Sequence, residues 1–114
     1  MPVDPTKQAY VARDAIEKIN HATLNQKQLP APVISSTVQA LLQTVQRLPQ
    51  GLEQLAWQIR QRQTEDAIRM DDRSDSAAAV RDVDRALADA VHHLDAAAQA
   101  IQRAASPLFH MAAK

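Results

Sequence analysis

Cysteine is absent from all 114 residues, which excludes disulfide frameworks, thiolate metal sites and cysteine nucleophiles. Glycine occurs once, at Gly51, and the only aromatic residues are Tyr10, Trp57 and Phe109. A single glycine cannot build a phosphate-cradling loop, and a strand-rich fold would lack its usual turn residues. No stretch approaches the roughly 18 consecutive apolar residues that a membrane span requires. The opening MPVDPTKQAY lacks the basic-then-apolar layout of a secretory signal. Net charge is missing too, because 13 basic and 13 acidic side chains cancel. The broad attraction that drives most nucleic-acid binding is thereby removed. These absences point to a soluble, cytoplasmic protein without a membrane segment.

What remains is rich in Ala, Gln and Leu, all compatible with helix, and an all-α fold follows. At 12.6 kDa the chain fits one domain, able to bury about two thirds of its unfolded surface. The apolar fraction of 46% overstates the core, since 22 of those residues are alanine, which adds little transfer free energy. The scarcity of Lys beside Ala, Arg, Asp and Gln suggests a GC-rich, bacterial coding sequence. Residues 1–64 carry a net +3 and residues 65–114 a net −3, a weak bias toward packing one half on the other, within or between chains.

Asp4-Pro5-Thr6 reads as a helix start, with Asp as the cap and Pro in the first turn. A first amphipathic helix is expected over 5–25, with Val11, Ala15, Ile19 and Ala22 on one face. Pro30 and Pro32 break it. A second helix over 34–48 carries Ile34, Val38, Leu41, Leu42, Val45 and Leu48 in a helical stripe. Pro49-Gln50-Gly51 reads as a tight corner before a third helix over 50–64, with one long kinked helix as the rival reading. The charged stretch at about 65–75 is expected to be a mobile linker. Ser74, Asp75 and Ser76 are competent caps for a last helix over 76–105, which Ser106-Pro107 should end. The expected architecture is a small antiparallel, up-and-down four-helix bundle. Its second and last helices form the core, the other two flank it, Trp57 fills a gap, and Leu108, Phe109 and Met111 fold back.

The last helix has the strongest pattern. With Val80 at the first heptad position, the core columns are Val80, Leu87, Leu94 and Ile101 together with Val83, Ala90, Ala97 and Ala104, all apolar. Val91, Ala98 and Ala105 widen the face, so this helix should touch two neighbours. In that frame His92 points outward and His93 lies on the flank. Adjacent helical residues diverge by about 100° and cannot readily share a metal ion. Asp89 with His93, and His92 with Asp95, have chelating spacing but supply two ligands each, so the histidines read as solvated and no metal or other cofactor is expected. No nucleophile or tuned carboxylate pair is recognisable, and the chain reads as no enzyme.

Two candidate surfaces follow. Gln39, Gln43, Gln46, Gln50, Gln54, Gln58 and Gln61 recur every three or four residues, as a solvated face or as a partner surface of amides. The wide face of the last helix offers Val91, Leu94, Ala98, Ile101, Ala105 and Phe109. With Gln43, Gln46, Gln54, Gln58 and Trp57 these make the expected interface of a non-catalytic interaction module, either a homo-oligomer or one docked on another protein. The alternative is a nucleic-acid-binding accessory protein using Arg47, Arg60 and Arg62, disfavoured by zero net charge and a poor helix-turn-helix fit around Pro49. A helical metal or small-ligand carrier using Asp89, His92 and His93 is a third option.

Overall fold

The computed structural model describes residues 2–112 and 114. These residues form three helices, α1 (Pro5–Asn25), α2 (Ala31–Thr64) and α3 (Ser76–Phe109), and no strand. The all-α class stands, but the four-helix count does not. Pro49 lies inside α2 rather than at a corner. It has no N–H to give the Val45 carbonyl, and such a residue costs about 3 kcal/mol in a helix interior. The helix continues because apolar residues on both sides of it, Leu42 and Val45 before and Leu52 and Ala56 after, all turn toward α3 and are buried or half-buried. The expected stop at Ser106-Pro107 is likewise overrun, and α3 ends at Phe109.

Helices α2 and α3 pack together as an antiparallel hairpin, and no other pair of helices packs. Their shared seam can be read from burial. In α2 it runs Ser35, Val38, Leu42, Val45, Pro49, Leu52, Ala56, Ile59 and Gln63, with alternating steps of three and four. In α3 it runs Val80, Asp84, Leu87, Val91, Leu94, Ala98, Ile101, Ala105 and Leu108 with the same steps. Both are heptad patterns, the geometry that lets two helices stay in register along their length. Among the described residues Leu42, Ala56, Val80 and Ala105 are the buried apolar ones, and Leu42 is the deepest at 1% exposed.

The ends of the hairpin are built locally. Asp75 caps α3 by accepting from the Ala77 N–H at 3.1 Å. At the end of α2 the Ala67 N–H returns to the Arg62 carbonyl at 2.9 Å and the Asp66 N–H to the Gln63 carbonyl at 3.0 Å. That is the double bond of a Schellman cap, with Asp66 in the left-handed position at φ 55° where glycine is usual. Arg73, at φ 64°, takes the second left-handed turn before α3. Residues 65–75 are therefore a turn-bearing connection with its own hydrogen bonds.

Helix α1 flanks nothing. Asp4 caps it from the Thr6 N–H at 3.0 Å, but none of its residues is buried. It nears the rest of the chain at one corner, where Ile19, Ala22 and Thr23 share a shallow groove with Leu29, Val33 and Thr37. Val11, in the middle of its apolar face, is 53% exposed. The molecule is accordingly long, 62 × 28 × 28 Å, with a radius of gyration of 18.9 Å, against about 13 Å for a compact chain of this length. Trp57 is exposed, so the expected gap-filling does not occur, and of the three residues expected to fold back Leu108 packs as the last turn of the α3 seam while Phe109 and Met111 stay exposed.

The uneven burial predicts uneven sensitivity. Leu42→Ala should destabilise the hairpin by about 2–5 kcal/mol, whereas Val11→Ala should change it by less than about 0.5 kcal/mol. Urea unfolding followed by far-UV circular dichroism measures both.

Candidate interaction surfaces

The hairpin has two long sides. On one, the columns Gln39, Gln46, Glu53 and Arg60 of α2 and Arg81, Ala88, Asp95 and Gln102 of α3 face across shallow grooves. Glu53 and Arg60 line one of these with Asp84, Leu87, Ala88 and Val91, and Gln39 and Gln43 line another with Gln102, Ser106 and Phe109. This side is polar. Its one inter-helix ion pair joins Arg60 to Asp84, and Asp84 is the acidic residue of the α3 seam. Both partners are partly exposed, so the pair is compatible with the antiparallel register that the apolar seam sets and adds little to it.

The opposite side has no charge until Arg62. There α2 presents Ile34, Leu41, Leu48 and Leu55, seven residues apart, and α3 presents Val83, Ala90, Ala97 and Ala104, also seven apart. Leu48 is 47% exposed, Leu55 54% and Val83 42%. Ala97 and Ala104 are exposed as well, while Leu41 and Ala90 are half-buried against the seam. Counting along the helices from the Arg60–Asp84 pair, Leu55, Leu48 and Leu41 stand level with Ala90, Ala97 and Ala104. Large side chains thus line one edge of this side and small ones the other.

The expected contact residues are divided by this geometry. Val91, Leu94, Ala98, Ile101 and Ala105 belong to the α2–α3 seam and are half-buried or buried within the chain. The expected two neighbours of α3 are one, and the column Val83, Ala90, Ala97 and Ala104, read as core, lies beside the seam instead. Gln43, Gln46, Gln54 and Gln58 are exposed along a continuous outer stripe of α2, with Trp57 beside them. The free leucine column was hidden in the sequence because Ile34, Leu41 and Leu48 read as one stripe with Val38, Leu42 and Val45. Spacing alone does not separate them, since Val38, Val45, Leu52 and Ile59 are also seven apart, and only the position of α3 does.

The residues of the other readings are not brought together. Arg47 donates to the Gln43 carbonyl at 2.8 Å, Arg60 pairs with Asp84, and Arg62 pairs with Glu65 at 3.1 Å. Arg47 lies thirteen residues from Arg60, about 20 Å along the helix, and the three point in different directions around it. His92 and His93 are exposed, with rings edge to face at 5.7 Å. Among the described residues no group of three or more His, Asp or Glu is placed to hold a metal ion, and no helix is long and apolar enough to cross a membrane. The acidic connection holds one ordered carboxylate. Asp72 accepts from the Ser74 hydroxyl at 2.6 Å and from its N–H at 3.0 Å, and these bonds hold its carboxyl below the usual aspartate value.

No protein-family model, curated protein or solved structure matches the chain. The class that fold and surface define is a two-helix antiparallel hairpin with a separate N-terminal helix.

Two measurements check these local interactions. A carbon-detected titration should find Asp72 ionising below the ordinary aspartate range, with Ser74→Ala moving it upward. Since its folded value is depressed, the stabilising effect is present above the unfolded value and vanishes as pH falls through the folded one. For Arg60 and Asp84, whose side chains are 45% and 42% exposed, a double-mutant cycle should give a coupling of no more than about 1 kcal/mol, reduced in concentrated salt.

Proposed function

We propose that the chain is a soluble, cytoplasmic, non-catalytic interaction module that works by self-association or by docking to a larger protein. One observation carries this reading, the surplus of surface. The accessible area is 9227 Å², whereas a compact monomer of this mass exposes about 6,200 Å². The surplus of roughly 3,000 Å² comes with exposed apolar side chains at Val11 and Ile16 of α1, and at Leu48 and Leu55 of α2. A 21-residue helix with no packed face is marginal in water, so α1 gains most of its stability once something covers Val11, Ala15 and Ile19. An apolar face left open on a soluble chain marks an association site.

Light scattering at tens of micromolar and affinity capture with tagged full-length chain test the reading together. The expected outcome is either a mass above one chain or a stoichiometric partner that is lost when Val11 and Ile19 are changed to lysine. A mass of one chain with no stoichiometric partner overturns it.

A further inference from the structure

We infer that the occupant of the open leucine–alanine side of the hairpin is a second copy of this chain, turned about a two-fold axis parallel to the helices. The inference rests on the interaction-module reading and names its partner. A dyad requires a surface that complements itself. This side does so, because its bulky edge, Leu41, Leu48 and Leu55, stands level with its shallow edge, Ala104, Ala97 and Ala90. Rotation about the long axis keeps heights and exchanges the edges. Each leucine of one copy then lies over the alanine at its own level in the other, and α2 of one copy packs on α3 of its partner.

Charge favours the same arrangement. Helix α2 carries Arg47, Arg60 and Arg62 against Glu53, a net +2, and α3 carries three Arg against four Asp, a net −1. Placing α2 on α2 would instead set like charge on like and leucine on leucine. The area is at the small end. The two columns stand level over Leu41–Leu55 and Ala90–Ala104, 14 residue steps or about 21 Å, across two helices about 10 Å wide each. That flat footprint of about 420 Å² is extended at its two ends by Ile34 and Val83 toward the roughly 800 Å² per partner of a standard interface, and lies well within the surplus of surface. Four helices around the new layers make the bundle that the leucine and alanine columns are spaced for.

The test uses full-length chain throughout. Sedimentation equilibrium should give twice the 12.6 kDa chain mass at tens of micromolar. Leu48→Glu with Leu55→Glu should give a single-chain mass with helicity retained, since both residues lie outside the α2–α3 seam. Gln46→Glu, on the polar side, should leave the dimer intact. Because the chain has no cysteine, Leu48→Cys chains mixed with Ala97→Cys chains and oxidised should yield mostly the mixed disulfide. This readout also decides the matter if the glutamate variant fails to fold. A wild-type mass of one chain at every concentration overturns the inference, as α1 folded over its own hairpin would produce. A dimer that survives both glutamates, or a predominance of the Leu48→Cys homodisulfide, overturns it too. Under either of those last two outcomes the interaction-module reading stands, whereas it falls only if capture and mass both find an isolated chain.

Discussion

The pairing of α2 with α3 along one heptad seam is the constraint on which the rest of the structure depends. It keeps α2 intact through Pro49, because breaking the helix there would move either the first half, with Leu42 and Val45, or the second, with Leu52, Ala56 and Ile59, off the partner. The apolar surface at stake on each side, at about 25 cal/mol per Å², exceeds the roughly 3 kcal/mol that proline costs. The same seam decides which face of each helix is free. Once Leu87, Leu94 and Ile101 look inward beside Val91 and Ala98, the alanine column to one side and the aspartates to the other have no choice of position.

A two-helix hairpin has an unusual weakness, in that it has a seam but no interior. Each seam residue has a neighbour on one side and water on the flanks, so most reach half-burial, and among the described residues only Leu42, Ala56, Val80 and Ala105 are buried. Two of those four are alanines, which let the backbones approach but add little transfer free energy. The polar members of the seam, Ser35, Gln63 and Asp84, lie toward its ends, where water reaches them and the cost of burial is smallest. Gln63 still leaves its side-chain carbonyl oxygen without a partner, which weakens the end of the hairpin next to the connecting turns.

Much of this was legible in the chain and some of it could not be. Helix class follows from composition, and the starts at Asp4-Pro5 and Asp75 follow from cap chemistry that acts within three residues. The path through Pro49 was legible only as the rival reading of one long helix, because local propensity opposes it and the partner helix reverses the balance. Nor was the inward face of α3. Three adjacent columns there are apolar, and a period of 3.5 describes any neighbouring pair of them equally well. What distinguishes the pair beginning Val80 and Asp84 is the partner helix itself, whose seam from Val38 to Ile59 lies against it. The Schellman cap at Asp66 was hidden for a simpler reason, since its usual glycine is absent. The residues expected on α3 as a contact face, Val91, Leu94, Ala98, Ile101 and Ala105, are therefore the ones that the hairpin itself covers.

The column of α3 that closes the hairpin, Asp84, Val91, Ala98 and Ala105, and the column left beside it, Val83, Ala90, Ala97 and Ala104, are nearly equal in bulk, so size alone does not choose between them. The two columns left over on the apolar side do differ, mainly leucine on α2 and mainly alanine on α3. In the proposed dimer this contrast would let the leucines of one copy fill the space that the alanines of the other leave. Helix α1 sits beside that side rather than on it, because its tether at Leu29-Pro30 leaves it at the corner of the hairpin next to Val33 and Thr37.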